Sequence, residues 1–297
     1  MISYIEYKFA NRSQGGLTGV VRDGGGGMRI GKQDAPFTAI CTSDAASITV
    51  RGRDLVGEVI GKVDFTSYFW LLVTGTMPDG RQRFFADAVL CAIAEHGLVP
   101  SVAAARMTYA AAPEAFQGAV AAGLLGCGSV VLGSAEICGR FLAACLAEAE
   151  TGTPPAQAAE EGVRALRAAG KAIPGFGHPQ HAEGDPRALL LLDLARQHGA
   201  EGRHIAMLHA VRDALPKAIG RNLPININGA IPAVMLDVGF PLAALKGISL
   251  LARTAGLIGH LQEESEQPIG FILAGKAADA IQYNGPHAQN RAAAGAP

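Results

Sequence analysis

Charge is scarce in this 297-residue sequence: 17% of residues are Asp, Glu, Lys or Arg, and their signs nearly cancel to a formal net charge of -1. That leaves no global field to draw in nucleic acid or an anionic membrane, so an anionic ligand has to be met by locally placed Arg, Lys, His or backbone N–H groups. The five cysteines (Cys41, Cys91, Cys127, Cys138, Cys145) are odd in number and form no Cys-x-x-Cys pair, which gives no disulfide framework and implies reduced thiols in a cytoplasmic setting. The start, MISYIEYKFANRSQGG, lacks a basic segment followed by an apolar one, so no secretory signal is expected. Gly, Ser or charged residues break the apolar stretches before the roughly 20 residues of a membrane span, so no membrane partner is expected either.

What is abundant is hydrophobic residues, 49% of the chain, together with 38 glycines. This is the balance of a chain that buries a core, not of a disordered one. The first fifty residues are the least helical. Asp23 followed by Gly24, Gly25, Gly26 and Gly27 is a turn with no Gly-Lys-Ser/Thr after it, which rules against a phosphate loop. Segments 38–41 and 47–50 flank Ser43-Asp44 in the manner of a small hairpin. From Asp64 onward the apolar spacing turns helical, punctuated by Gly and Pro. Helices are expected at about 65–74, 81–95, 101–111, 154–169, 185–198, 203–218, 228–238 and 241–264, with one long Ala/Gly-rich run at 114–150 and a frayed end at 292–297.

Polar residues interrupt the apolar stripes most sharply in Ile173-Pro174-Gly175-Phe176-Gly177-His178-Pro179-Gln180-His181-Ala182-Glu183-Gly184-Asp185-Pro186-Arg187. Glycines there permit close backbone approach, Asp185-Pro186 makes a helix start, and Arg187 falls in the first turn of that helix. An Arg fork beside free helix N–H groups suits a carboxylate; the plainer reading is a helix–loop–helix link with a capping Asp. His178, His181, Glu183 and Asp185 could also suggest a metal, but Pro179 prevents one helix from presenting both imidazoles on a single face, and no metal is expected. His198, His204, His209 and His260 follow no distinguishing pattern and read as surface or satisfied core residues. Asp237 reads as a polar helix end, not a catalytic acid.

Gly175-Phe176-Gly177-His178 followed by Asp185-Pro186-Arg187 resembles a signature of the citrate synthase superfamily. Arg51-Gly52-Arg53-Asp54-Leu55, Leu71-Leu72-Val73-Thr74-Gly75-Thr76-Met77-Pro78, Glu95-His96-Gly97-Leu98-Val99-Pro100-Ser101 and Arg253-Thr254-Ala255-Gly256 resemble further family elements in the right order. The resemblance implies an all-α fold with a short N-terminal β-hairpin, a large helical domain (1–135 and 225–297) and a small one (136–224), with the site in the cleft between them. It also implies that His178 contacts the substrate's carbonyl or hydroxyl oxygen, that His96 binds the substrate, that Arg187 and Arg253 bind its carboxylates, and that Gly175, Phe176 and Gly177 lie along coenzyme A. Members are usually homodimers, and the apolar stretch 118–135 is the candidate interface.

Two departures bear on activity. The family's enolate-binding His has no counterpart in Gly123-Leu124-Leu125-Gly126-Cys127-Gly128-Ser129-Val130-Val131-Leu132-Gly133-Ser134-Ala135-Glu136, which resembles instead the citryl-CoA lyase module of ATP-citrate lyases. Ser129 or backbone N–H groups are candidate substitutes, and close helix packing is the plainer reading. Asn228, in Asn226-Ile227-Asn228-Gly229, stands where the family has a carboxylate base, and an amide cannot serve as one. The implied reaction is retro-aldol cleavage of a CoA thioester of citrate to acetyl-CoA and oxaloacetate, with His178 and Asn228 catalytic. The alternatives are a condensing enzyme or hydrolase of another CoA ester, or a paralogue that only binds CoA esters.

Overall fold

The computed structural model describes residues 37–130, 132–177 and 184–283. The chain divides into two units at Thr38/Ala39, and the elements below all belong to the second, Ala39–Pro297.

Strands β1 (Cys41–Ser43), β2 (Ile48–Val50) and β3 (Arg53–Asp54) form an antiparallel sheet in that order. The Asp44 carboxylate closes the first turn by accepting the N–H groups of Ala46 and Ser47 at 2.8 Å. The third strand was not expected, because its turn was read as part of a family element. Arg51 and Gly52 sit at φ 50° and 79°, the left-handed pair that a two-residue hairpin loop requires. Arg51 then donates through Nε and Nη2 to the Leu72 carbonyl at 3.1 and 2.7 Å, fastening the sheet to the first helix.

Eleven α-helices follow among the described residues. They are α1 (Phe65–Thr74), α2 (Gly80–Ala94), α3 (Pro100–Ala111), α4 (Phe116–Leu125), α5 (Ser134–Glu150), α6 (Pro155–Ala168), α7 (Pro186–Gln197), α8 (Arg203–Ile219), α9 (Ile227–Asp237), α10 (Leu245–Glu266) and α11 (Gly270–Ala280). Their ends follow local chemistry. Asp64 caps α1, which stops at Gly75 in the left-handed conformation; Asp79 and Gln82 make a reciprocal capping box at the start of α2.

The expected run at 114–150 is two helices, broken at 126–133. Leu132 there adopts φ 66°, and the Gly133 N–H turns back to the Gly128 carbonyl at 2.9 Å. Glycines at 126, 128 and 133 lower the cost of leaving the helix, and the β-branched Val130 adds nothing to keep it. The helix α11 was not expected, since its apolar residues Phe271 and Ile272 are exposed and give no core-facing stripe.

At the centre lies α9, buried at Ile227 and from Gly229 through Met235, and packed against α5, α7 and α8. Trp70, Phe85, Leu142, Leu208, Leu215, Ile231 and Phe240 fill the main core around it. A second cluster, Val102, Ala105, Ala119, Leu257 and Leu261, forms where α3, α4 and α10 meet. The segment Leu242–Glu266 is long and apolar enough to cross a membrane by length and composition, against the expectation that polar residues interrupt every such stretch. Its residues Leu245, Ile248, Leu257 and Leu261 are fully buried, in contact with α2, α3 and α4.

Asp237 ends α9 and also caps α8. Its carboxylate accepts the N–H groups of Gly202, His204 and Ile205 at 2.9 to 3.0 Å and lies 2.8 Å from His204 Nδ1. Burial alone would push this carboxyl up, but the His204 ring and the backbone N–H groups outweigh it and hold Asp237 below the usual carboxylate range. The expectation of a structural helix-end residue therefore holds, and His204 gains its partner.

Candidate active site

The candidate residues fall into two groups. The first surrounds the N-terminus of α9. Residues 175–177 run antiparallel to 224–226: Phe176 bridges Ile225, Gly177 N–H donates to the Pro224 carbonyl at 2.8 Å, and Asn226 N–H donates to the Gly175 carbonyl at 3.0 Å. The Asn226 amide donates in turn to the Gly177 carbonyl at 2.5 Å. Gly175 has φ 88°, and a Cβ there would come within 2.6 Å of Cys138 Sγ and 2.8 Å of Gly229 Cα. A Cβ on Gly229 would meet the Gly175 carbonyl oxygen at 2.6 Å. Two backbones thus touch where both residues lack side chains, so Gly175 has a packing reason that needs no ligand.

Asp185 joins this group. Its side chain is 0% exposed and accepts the Ile227 N–H at 3.0 Å, tying the start of α7 to the start of α9. It also receives Arg187 through the backbone N–H (3.1 Å), Nε (3.0 Å) and Nη2 (2.9 Å). Burial pushes the Asp185 carboxyl up, but Arg187 and the Ile227 N–H more than offset this and keep it below its ordinary value. The Arg187 fork is therefore held by a carboxylate of its own chain. Asn228 lies in the first turn of α9, half-buried, its N–H donating to Asn226 Oδ1 at 3.0 Å. His178 lies in 178–183, outside the described residues, as do His181 and Glu183.

The second group lies where α2 and α10 cross. Gly256 permits the crossing, since a Cβ there would stand 2.0 Å from the Ala94 carbonyl oxygen. One turn earlier on α10 is Arg253, 3% exposed, whose Nη2 reaches the Ile93 carbonyl at a long 3.4 Å. Its Nε and Nη1 are buried without a hydrogen-bond partner among the described residues. Just past Ala94, the Glu95 carboxylate accepts the N–H groups of His96 (2.8 Å) and Gly97 (2.5 Å) and so shapes the His96 turn. The crossing thus brings Arg253 against Ile93, three residues before His96.

Two residues not anticipated from sequence complete this group. Ser101, 0% exposed at the start of α3, has a buried hydroxyl that lies against the Cys127 thiol. Cys127 is buried, donates weakly to the Gly123 carbonyl at 3.4 Å, and is near enough to Arg253 and Ser101 to feel both. Burial pushes its thiol up, against the pull of Arg253. From Cys127 the 126–133 loop leads to α5, whose Cys138 touches Gly175 in the first group. Ser129, the candidate donor in that loop, is exposed.

A buried guanidinium with two unpaired edges is costly to hold. Bare transfer from water is unfavourable by several kcal/mol, and native proteins pair such groups. Beside a buried hydroxyl and an imidazole turn, the arrangement is built to receive a planar anion with hydrogen-bond acceptors on more than one side.

The family described as citrate synthase, C-terminal domain, matches residues 62–270. The structure of citryl-CoA lyase from Hydrogenobacter thermophilus superposes with a TM-score of 0.75 at 28% identity, covering 88% of this chain and 97% of that one. ATP citrate lyase from Methanothrix soehngenii, in complex with citrate and coenzyme A, gives 0.70 at 24% identity over 87% of this chain and 43% of that one. Citrate synthase from Thermoplasma acidophilum, bound to carboxymethyl coenzyme A and oxaloacetate, gives 0.58 at 20% over 69% and 54%. These last two show the shared fold. No curated protein sequence matches the chain.

Proposed function

This chain belongs to the citrate synthase C-terminal domain family, and from that premise we propose that it is a carbon–carbon lyase that cleaves citryl-CoA into acetyl-CoA and oxaloacetate. The observation that carries the reading is Arg253, a buried cation whose Nε and Nη1 await an anionic partner beside His96 and Ser101. The like-sized citryl-CoA lyase supports the cleavage reading.

In this account Arg253 and His96 hold one of the two carboxylates of the departing oxaloacetate. Arg187, preset by Asp185, offers its remaining Nη1 to the other. His178 takes the proton of the tertiary hydroxyl as the carbonyl forms and the carbon–carbon bond breaks, and the bonding pair passes into the thioester to give the enolate of acetyl-CoA. The Asn228 amide, at a helix N-terminus, donates to the developing thioester oxygen, a contact whose loss costs ~10²–10³ in rate in comparable sites. Water returns the proton to carbon. Coenzyme A lies along Gly175, Phe176 and Gly177, and the large and small domains, 1–135 with 225–297 and 136–224, close over it.

Incubating the protein with citryl-CoA tests the reading through release of oxaloacetate and acetyl-CoA in equal amounts. A second measurement addresses Asn228: exchange of the acetyl-CoA methyl hydrogens with deuterated water is expected to be slow in the native protein and faster in Asn228→Asp, which restores a base. Equal exchange in both would remove Asn228 from the reacting carbon.

A further inference from the structure

Behind the His96 turn runs a line of charge that substrate binding does not use. It begins at the buried pair Arg106 and Glu264, each 2% exposed. Arg106 Nε donates to Glu264 Oε2 at 2.6 Å, Nη1 to Glu263 Oε2 at 2.5 Å and Nη2 to the Gln267 carbonyl at 3.1 Å. Glu264 also accepts the N–H groups of Ile269 and Gly270 at 3.0 and 2.7 Å. These contacts fix the corner between α10 and α11 without further help.

The line nevertheless continues away from that corner. Arg106 Nη1 lies 3.4 Å from His260 Nδ1. A guanidinium has only donors, so Nδ1 faces it with its lone pair and the ring proton sits on Nε2. Nε2 stands 2.9 Å from Glu95 Oε2, a short contact bent away from ideal hydrogen-bond alignment. The other Glu95 oxygen takes the N–H groups of His96 and Gly97. Burial raises the Glu95 carboxyl, but His260 and those two N–H groups prevail and keep it ionised below its usual range. A cavity of about 410 Å³, lined by Glu95, Gly256, Gly259, His260 and Glu263, opens beside this contact.

We infer that His260 is a positioning residue: acting through Glu95, it sets the His96–Gly97 turn and so the aim of His96 at a substrate carboxylate. The inference rests on the reading of His96 as a substrate contact. A histidine placed only to stabilise the α10–α11 corner would have no reason to hold a carboxylate on α2, whose acceptors are spent on the turn next to Arg253. A carboxylate left without its cationic or donor partner is free to turn toward solvent through the adjoining cavity, and the two backbone N–H groups lose their anchor.

Calorimetric titration of the full chain with oxaloacetate, and separately with coenzyme A, tests this. His260→Leu is expected to weaken oxaloacetate about tenfold, the effect of one lost charge-assisted contact, while coenzyme A affinity stays within about twofold. His260→Gln, whose amide can reach Glu95 from the position of Nε2, restores oxaloacetate binding to within about threefold. Glu95→Gln keeps a backbone acceptor but sets NH₂ against the ring N–H, and gives the same loss as His260→Leu without emptying the space beside Arg106. Unchanged oxaloacetate affinity in both His260→Leu and Glu95→Gln, with binding abolished in His96→Ala, overturns the positioning role and leaves the site reading intact. Equal weakening of both ligands also overturns it, because that is the mark of a general structural loss. Failure of the native protein to bind oxaloacetate overturns the site reading and this inference with it.

Discussion

Arg253 shows how a single side chain can be costly to the fold and necessary to the site. Its guanidinium is held at 3% exposure, with a long contact to Ile93 and two unpaired edges. Replacing a buried, incompletely paired charge by an apolar side chain of similar length is often neutral or stabilising by about 1–4 kcal/mol. Arg253→Met is therefore expected to melt at the same temperature as the native protein or higher in the absence of ligand. It should also lose the rise in melting temperature that saturating oxaloacetate gives the native protein. A drop of several degrees without ligand would mean that Arg253 is a structural residue. The sequence could point to Arg253 through its place in Arg-Thr-Ala-Gly, but not to Cys127 of the α4–α5 loop, which feels its charge, or to Ser101 of α3, which lies against that thiol. Nothing in the spacing of positions 101, 127 and 253 signals that they converge. Arg187 was legible as a helix-start Arg, yet its pairing with Asp185 two residues away, which occupies the fork, was not.

At the scale of elements, helix ends carry most of the specificity. Asp185 was readable as a cap, and Asp64 as the onset of helix, because each is adjacent in sequence to its helix; the Asp79–Gln82 box at the start of α2 was not read. Asp237 was readable only as the end of α9. That it also caps α8, more than thirty residues earlier, depends on tertiary packing. The linkage has a definite sign. Asp237 is held below its ordinary value, so its stabilisation is present above about pH 4 and is lost as the pH falls through the lowered folded value. Asp237→Asn is expected to cost about 2 kcal/mol near pH 7 in chemical denaturation, with the difference from the native protein shrinking below pH 4. A constant difference from pH 7 down to pH 3 would show that Asp237 does not act through its charge. The break between α4 and α5 escaped a reading of composition because Ala and Gly populate both the helices and the loop. The left-handed Leu132 that marks the break is a backbone property no residue type announces.

For the whole molecule, the order of family elements along the chain carried the helical fold and the family, as the match over residues 62–270 bears out. What order could not supply is the meeting of α2 with α10 at Gly256 and of 175–177 with α9 at Gly229, because those contacts join segments distant in sequence. The face of α4 raises a further question of assembly. The helix has no charged residue, and Phe116 and Leu125 are exposed, Leu125 at 87%. An apolar helix with an uncovered side calls for a partner, and the homodimer implied by the family resemblance would supply one. A homodimer interface on this face would span Phe116–Leu125 and not a continuous helix through 135, since the chain leaves the helix at Gly126. Leu125→Asp is expected to shift sedimentation from dimer toward monomer. A native protein that sediments as a monomer at micromolar concentration would refute this placement.

The central claim is carbon–carbon cleavage without thioester hydrolysis, and the most direct measurement is product analysis of citryl-CoA incubated with the purified protein, read at the same time for oxaloacetate, acetyl-CoA, citrate and free coenzyme A. The account predicts oxaloacetate and acetyl-CoA in equal amounts, and no turnover in Arg253→Met. Citrate and free coenzyme A as the products, or intact citryl-CoA after prolonged incubation with a protein that binds it, would contradict it.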